Sequence, residues 1–124
     1  MADFALLFYG YKEIDALEIY EVLKDSLKCD LDMFSASSSL NPVVKSIIME
    51  TEKSEYEENE NCFLMFLGFD NDMISRALSS FPKDSRRPLF CGITESNAEW
   101  NVNYLMEHLL EEQKEMEEKK RNLQ

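Results

Sequence analysis

Polar side chains follow several of the short apolar runs in the sequence, where they could meet a ligand. The candidate recognition surface comprises Ser37, Asp70, Thr94, Asn97 and Trp100. In an open parallel sheet, ligands bind beyond the carboxyl ends of the strands, and these residues stand at or near such ends. Serine, aspartate and asparagine also favour turns and helix N-caps for local reasons, so capping outweighs ligand binding as their expected role.

The sequence lacks the motifs of several enzyme classes. No glycine-rich loop of the dinucleotide-binding or P-loop type follows the first apolar run, so a phosphate group would have no backbone cradle there. The widely separated Cys29, Cys62 and Cys91 fit neither a zinc knuckle nor a redox pair. His108 has no serine, cysteine or second histidine at motif spacing. We therefore expect no catalytic residue, cofactor or metal ligand, and we favour a non-enzyme.

The charge balance limits the partners of this chain. The 124 residues include 25 Asp and Glu but only 13 Lys and Arg, which gives a net charge of -12. Such a surface repels nucleic-acid backbones and anionic lipids. The apolar stretch 5–9 is too short for a membrane span or a signal-peptide core. We expect a cytoplasmic protein that binds neither nucleic acid nor membranes.

The elements that position these residues alternate between strands and helices. Continuous apolar runs predict strands β1 (Phe4–Tyr9), β2 (31–35), β3 (62–67) and β4 (88–94). Apolar residues at helical spacing predict helices α1 (12–27), α2 (42–48), α3 (71–81) and α4 (101–121). Asn41 and Pro42 suit the N-cap and first helical position of α2.

This alternation predicts one α/β domain over residues 1–124, with a four-stranded, mainly parallel sheet and helices on both faces. The unbroken apolar runs of β1 and β3 make them the central strands, adjacent and parallel, in the order 2-1-3-4. A ferredoxin-like sandwich, with residues 43–49 as a strand, is the alternative. We find no internal repeat in the sequence.

The sequence predicts that two segments lie outside the core. Residues 51–60 are rich in glutamate, so we expect a solvated, mobile loop. Residues 111–124 form the charged end of the last helix, which should project from the body. Opposite charges four residues apart, such as Glu115 and Lys119, would support that helix end. It offers a surface for a protein partner or for a second copy of the chain.

The second half of the chain resembles a small uncharacterised bacterial family, domain of unknown function 3783. The resemblance rests on a strand, a Thr-x-x-Asn-x-x-Trp turn formed by Thr94, Asn97 and Trp100, and the Leu-Leu-Glu-Glu sequence at residues 109–112. Asn101 and Tyr104 depart from the Thr and Glu expected at the helix start. The family has no established activity, so the resemblance implies none.

Asn97 and Trp100 also have structural roles to fill. The Asn97 side chain is expected to tie down the backbone of the turn. Trp100 is the only tryptophan, and it stands where β4 gives way to α4. We expect its ring to be largely buried and to hold α4 against the sheet.

The sequence is compatible with two functions. The leading hypothesis is a non-enzymatic protein-interaction or regulatory module, because no catalytic constellation is visible and the last helix projects. The alternative is a small-molecule binding protein or an enzyme that uses the carboxyl edge of the sheet. An open polar pocket at that edge would favour the alternative.

Overall fold

The structure is a computed structural model that describes residues 3–122. The strands are β1 (Phe4–Tyr9), β2 (Leu31–Ala36), β3 (Phe63–Leu67) and β4 (Leu89–Gly92). The helices are α1 (Glu13–Leu27), α2 (Val44–Ile48), α3 (Asn71–Ser80) and α4 (Val102–Asn122), with a 3-10 turn at Asn97–Glu99. The α/β class is confirmed. The segment that the ferredoxin-like alternative made a strand is largely helical.

The central pair of strands explains the two unbroken apolar runs. The sheet order is β2-β1-β3-β4, as predicted. In β1, Leu6 and Phe8 face one core cluster, while Leu7 and Tyr9 face the other. Residues of β3 alternate in the same way between the two clusters. Both central strands are covered on both faces, which is why neither run shows a polar side.

The predicted direction of β3 is wrong. β1 pairs with β2 in parallel, but β3 runs antiparallel to β1, and β4 is parallel to β3. The sheet is therefore mixed rather than mainly parallel. The physical reason is the path of residues 49–62, which return past the end of β2. Ser54 bonds to the backbone of Ser35 and Ser37, and the Asn59 amide donates to the Gly10 carbonyl at 3.0 Å. The chain therefore enters β3 from the edge at which β1 ends.

The helices cover both faces of the sheet, as predicted. On one face α1 contributes Ala16, Ile19 and Leu23 at helical spacing, and α3 adds Ala77. On the other face, residues of α2 and α4 pack over the sheet; those that are buried are Val44, Ile47, Val102 and Leu105. Each face has its own core cluster, so the sheet is sandwiched between two helical layers.

The two halves of the chain repeat one β-α-β-α unit, contrary to our expectation of no internal repeat. Gly10 and Gly68 lie 58 positions apart, directly after β1 and β3, and have φ angles of 88° and 81°. Helices α2 and α4 begin at Val44 and Val102, which are also 58 positions apart. Residues 4–48 and 62–106 therefore form two equivalent units, called here unit 1 and unit 2.

Hydrogen bonds between the units show a pseudo-twofold relation. The Val44 amide donates to the Trp100 carbonyl at 2.9 Å, and the Val102 amide donates to the Pro42 carbonyl at 2.9 Å. These two bonds exchange when unit 1 is superposed on unit 2. The antiparallel ladder of β1 and β3 is centred on the pair Leu7 and Met65. The fold is thus an internal pseudo-dimer joined by its central strands.

Each glycine faces the other unit. A Cβ atom on Gly10 would lie 2.1 Å from the Asn61 carbonyl oxygen, and one on Gly68 would lie 2.6 Å from the Asp3 carbonyl oxygen. Asp3 and Asn61 are themselves 58 positions apart. The close approach and the positive φ both require glycine, so the two units share this constraint.

Candidate functional site

The five candidate residues do not converge on one edge of the sheet. Because β3 and β4 run opposite to β1, their carboxyl ends lie at the opposite edge from the carboxyl end of β2. Ser37 follows β2, whereas Asp70 and Thr94 follow β3 and β4. A single ligand site that combines Ser37 with Asp70 is therefore excluded by the mixed topology.

Ser37 is fully buried and is held by the acidic segment. Its hydroxyl donates to a carboxylate oxygen of Glu57, which also accepts from the hydroxyl and the amide of Ser39. These hydrogen bonds from Ser37 and Ser39 lower the pKa of Glu57. Glu57 thus acts as an internal anion that occupies the donors of the serine turn.

The same segment closes the outer edge of β2. The Ser54 hydroxyl donates to the Ser35 carbonyl at 2.8 Å and accepts from the Ser37 amide at 3.0 Å. Tyr56 packs against the first core cluster, and its burial raises its pKa to about 12. Residues 51–60 therefore contribute to the core and to the sheet edge, although we expected a purely solvated loop. Their mobility stays a prediction.

Arg86 completes the closure beside β1. Its guanidinium donates to the carbonyls of Gly10 at 3.2 Å, Asn59 at 2.7 Å and Glu60 at 2.7 Å. The Tyr11 hydroxyl in turn donates to the Arg86 carbonyl at 2.5 Å. The carboxyl edge of β1 and β2 is thus filled by backbone and side chains of the protein itself.

Asp70 serves as a helix cap. Its carboxylate accepts from the amide of Met73 at 2.8 Å, at the N-terminus of α3. This bond satisfies one of the free amides at the start of the helix. The geometry accounts for Asp70 by local structure, as its position before an apolar repeat suggests.

Thr94 and Asn97 form a reciprocal cap. The Asn97 amide donates to the Thr94 hydroxyl at 3.1 Å, and the Thr94 amide donates to Oδ1 of Asn97 at 2.7 Å. Nδ2 of Asn97 donates to the Gly92 carbonyl at 3.0 Å. Asn97 is buried and ties down the turn, which is the structural role expected for it.

Asn97 is the counterpart of Ser54. When the units are superposed by their strand registers, Ser35 is equivalent to Gly92 and Ser37 is equivalent to Thr94. The Ser54 side chain bonds to the Ser35 carbonyl and the Ser37 amide. The Asn97 side chain bonds to the Gly92 carbonyl and the Thr94 amide. The two edge strands are therefore closed by equivalent bonds from different segments of the chain.

Trp100 is partly buried rather than largely buried. Its ring packs against the second core cluster and makes edge contacts with the rings of Tyr104 and His108, each at 4.9 Å between centroids. Nε2 of His108 lies 3.0 Å from Glu112. These four side chains lie in a row that starts at Trp100 and continues along α4. The described contacts of His108 include no nucleophile.

The start of α4 is capped across the pseudo-twofold axis. Oδ1 of Asn41 accepts from the Asn103 amide at 2.9 Å, and the Asn41 carbonyl accepts from Asn101 at 3.0 Å. Asn41 was expected to cap α2, but the N-cap of α2 is Val43. The backbone of Asn41 has a positive φ of 47°, and its side chain contacts unit 2.

An open groove lies between α2 and the turn after β4. It has a volume of about 770 Å³. Its lining comprises Lys45, Ile48, Met49, Leu67, Ile93, Thr94, Glu95, Ala98 and Glu99. The apolar members form the floor, and Lys45 pairs with Glu99 at 3.4 Å on the rim. Of the five candidate residues, only Thr94 lines this groove.

The last turns of α4 consist of exposed residues. Residues 105, 106, 109 and 110 are buried or partly buried over the sheet, whereas residues 111–121 are all exposed. Met116 is 63% exposed. The projection of this helix end stays a prediction, and residues 123 and 124 lie outside the described part of the chain.

Three residues that shape these surfaces were missed by sequence reasoning. Glu57 and Ser54 fall in the segment predicted to be a solvated loop, and Arg86 falls in the connection between α3 and β4, for which the sequence predicts no role. No local pattern distinguishes Glu57 from the other glutamates in residues 50–60. Only the topology, which carries this segment across the end of β2, selects it.

Residues 3–122 bring together no group of metal ligands and contain no disulfide bond. No set of three or more potential ligands among histidine, cysteine, aspartate and glutamate comes together in this range. All three cysteines are free thiols, and burial raises the pKa of each of them. Within the same range no helix is long and apolar enough to cross a membrane.

Residues 62–116 match the sequence model of a family described as "Domain of unknown function (DUF3783)". The match begins immediately before β3 and ends within the exposed part of α4, so it covers unit 2 and a little less than half of the chain. It agrees with the resemblance seen in the sequence of the second half. No curated protein and no solved structure matches the chain.

Proposed function

We propose that the protein is a non-enzymatic protein-interaction module that contacts its partner through the exposed end of α4. The observation that carries this proposal is that every residue from 111 to 121 is exposed within an unbroken helix. Partners of this surface are another protein or a second copy of the chain. We place the protein in the cytoplasm, where its three free cysteines would stay reduced.

The length of α4 supports an interaction role. The helix has 21 residues, or about 31 Å, but only its first half packs on the sheet. An isolated helix shorter than about 12 residues is marginal in water, and exposed ion pairs add only a few tenths of a kcal/mol each. A partner that covered the helix end would therefore stabilise an element that gains little from this chain alone.

The charges of the helix end favour a partner with its own charge pattern. The first part is acidic, with Glu111, Glu112 and Glu115, whereas its last turn carries Lys119, Lys120 and Arg121. Basic residues in the last turn complement the helix dipole. The acidic part lies nearer the body of the protein. A partner helix in the antiparallel direction would meet opposite charges at both ends if it had the same pattern.

The closed carboxyl edge of β1 and β2 weighs against the small-molecule alternative. Glu57 occupies the donors of Ser37 and Ser39, and Arg86 occupies the Gly10 carbonyl. A ligand at this edge would have to displace these contacts. A binding role for the helix end requires no such rearrangement.

Site-specific photocrosslinking tests the proposal. A benzophenone amino acid at position 116 should give a discrete crosslinked species, either with one partner protein or with a second copy. Position 14 is the matched control, because Ile14 is 66% exposed and Met116 is 63% exposed. Crosslinking from position 116 that does not exceed the control, together with a monomeric mass by light scattering, would refute the proposal.

A truncated chain provides the second arm. A chain that ends at Leu110 loses only exposed helix among the described residues, so its melting temperature should stay within about 2 °C of the full chain. It should lose the crosslinked species. If the truncated chain still binds the same partner with unchanged affinity, the end of α4 is not the contact surface.

A further inference from the structure

The strands that join the two units carry the same residues at equivalent positions. Across the antiparallel ladder, Leu6 pairs with Phe66, and Phe8 pairs with Leu64. Leu64 and Phe66 are the counterparts of Leu6 and Phe8, 58 positions further along the chain. If a second copy of unit 2 replaced unit 1, Leu64 would still pair with phenylalanine and Phe66 would still pair with leucine. One face of the ladder would therefore keep its residue types in the same register.

The other face of the ladder also accepts this exchange. Met65 pairs with its own counterpart, Leu7, so two copies of unit 2 would meet at Met65 on a twofold axis. Leucine and methionine replace each other in protein cores at low cost. At the remaining positions, Leu67 of one copy would pair with Phe63 of the other. Phe63 would there take the place of Ala5, beside Leu67, which is only partly buried at the edge of the groove.

The glycine contacts between the units are reciprocal. Gly10 approaches the Asn61 carbonyl, Gly68 approaches the Asp3 carbonyl, and Asp3 and Asn61 are equivalent positions. Unit 2 together with Asn61 therefore contains both halves of this contact, the glycine and the carbonyl that it faces. In a pair of two such units, Gly68 of each copy would lie over the Asn61 carbonyl of the other.

The helices meet across the axis in the same reciprocal way. The Val44 amide donates to the Trp100 carbonyl, and the Val102 amide donates to the carbonyl of Pro42, which is the counterpart of Trp100. Two copies of unit 2 would make both bonds between the Val102 amide of one copy and the Trp100 carbonyl of the other. Only backbone groups take part, so these bonds do not depend on the side chains that differ between the units.

Unit 2 has the more complete helical layer, and it is the unit that the family model describes. Helix α2 ends at Ile48, whereas α4 continues and places Leu109 beside Phe63 and Met65. The family match covers residues 62–116 and includes no part of unit 1. The model therefore describes a single β-α-β-α unit. The central strand of such a unit has an unpaired edge until a second unit pairs with it.

We propose that the face of unit 2 that unit 1 covers is a pairing surface for units of this family, and that it also binds a second copy of unit 2. The two copies would be joined by antiparallel β3 strands about an axis at Met65. The partner is thus a β-α-β-α unit with leucine and phenylalanine at the positions of Leu64 and Phe66 and with glycine after the strand. This surface is separate from the end of α4, and the inference does not depend on the proposed contact through that helix.

Bonds that only unit 1 supplies favour the existing pair of units in the folded chain. Oδ1 of Asn41 accepts from the Asn103 amide at 2.9 Å, and Ser38 makes two hydrogen bonds of 3.0 Å with the Asn103 side chain. The counterpart of Asn41 in unit 2 is Glu99, so a pair of unit 2 copies lacks the asparagine cap. Weakening this cap should therefore shift the balance toward two copies of unit 2.

Covalent trapping in the cleaved full chain tests the proposal. A protease site inserted between Glu58 and Asn59 is cut after folding, so both units remain present and can exchange. In a Met65→Cys variant, self-paired β3 strands place the two copies of position 65 at a Cα distance of about 4.5–5.5 Å, which permits a disulfide. In a thiol–disulfide buffer, a covalent dimer of residues 59–124 should accumulate, and peptide mapping should assign its bond to position 65 in both copies. In the pair of unit 1 and unit 2, position 65 faces Leu7 and forms no such bond.

Two further variants control the register and the competition. Leu67→Cys is the matched control on the same strand, because position 67 of one copy faces position 63 of the other. It should give no comparable covalent dimer. Asn41→Ala, combined with Met65→Cys, should raise the yield of the trapped dimer about threefold or more, because it weakens only the competing pair.

Native mass spectrometry of the cleaved chain without a cysteine substitution gives a second readout, in case Met65→Cys does not fold. It should show a dimer of residues 59–124 beside the one-to-one pair of units. A cleaved chain that holds only the one-to-one pair, with and without Asn41→Ala, would overturn the proposal. Equal trapping from positions 65 and 67 would place the contact outside the β3 ladder and would also overturn it. Either failure leaves the role of α4 intact, because position 116 lies outside this ladder.

Discussion

The bonds that close the two edge strands predict a matched pair of destabilising substitutions. Ser54→Ala removes the bridge between the Ser35 carbonyl and the Ser37 amide, and Asn97→Ala removes the equivalent bridge in unit 2. Each side chain makes two hydrogen bonds to the backbone, at distances of 2.7–3.0 Å. Both substitutions should therefore destabilise the fold by similar amounts.

The expected magnitude follows from those bonds. A protein hydrogen bond contributes about 0.5–1.5 kcal/mol net, and a buried group left without a partner costs more. Ser37 is fully buried, so water cannot replace Ser54 at its amide. We expect a loss of about 1–3 kcal/mol in the free energy of unfolding for each variant. At about 3–5 °C per kcal/mol, this corresponds to roughly 3–15 °C in melting temperature.

Urea denaturation at neutral pH measures this loss, and exposed neighbours serve as controls. Lys53→Ala and Ser96→Ala change exposed residues beside the two bridges and should stay within about 0.5 kcal/mol of the unaltered chain. A loss of less than about 0.5 kcal/mol for either bridging variant would refute the equivalence of the two edge bonds. A larger loss for a control than for its neighbouring bridge would do the same.

Three further substitutions or divisions of the chain test other contacts. The lowered pKa of Glu57 means that its stabilising effect is present above its ordinary value of 4.5 and is lost as the pH falls through the lowered pKa. The stability difference between the unaltered chain and Glu57→Gln should therefore shrink between about pH 7 and about pH 3 in urea titrations, and a constant difference would contradict this. Trp100→Ala should cost about 1–2 kcal/mol, because the ring is only partly buried; a loss above about 3 kcal/mol in urea denaturation would contradict it. Fragments 1–58 and 59–124 should form a folded one-to-one complex when mixed, as seen by circular dichroism and light scattering; a fragment that folds alone as a monomer would refute the pseudo-dimer.

The sequence predicts the class and strand order because the two central strands carry a strong signal. The runs before Gly10 and Gly68 are apolar on both faces, which is possible only for strands covered on both sides. Apolar spacing also identifies α1 and the start of α4. These patterns depend on local sequence, and the structure retains them.

The direction of β3 could not be read from the same patterns, because a buried strand looks alike in either direction. The direction is set by residues 49–62, which return past the end of β2 to the end at which β1 finishes. The apolar pattern does not show where such an irregular segment runs. The path of this connection therefore decides a strand direction that apolar periodicity leaves open.

The repeat was hidden because equivalent positions are filled by different residues. Identity survives at Gly10 and Gly68, where the backbone conformation requires it, and at Val44 and Val102. In the central strands it survives at Leu6 and Leu64 and at Phe8 and Phe66, too few positions to stand out from ordinary apolar runs. The strand registers then shift by one residue between the units, which moves β4 out of the alignment with β2. Asn41 was misassigned for a related reason, since its partner Asn103 lies in the other unit.

The two units close their edge strands with different segments of the chain, and this difference accounts for the position of the exposed helix end. In unit 1, the chain returns from α2 across the end of β2, so Ser54 closes the strand edge and the neighbouring carboxyl edge is filled. In unit 2, Asn97 closes the equivalent edge from within its own turn. No returning segment is then needed beside β4, and the chain is free to continue as the long helix α4. The exposed helix end is thus found where unit 2 departs from unit 1, and this supports testing it as the contact surface of an interaction module.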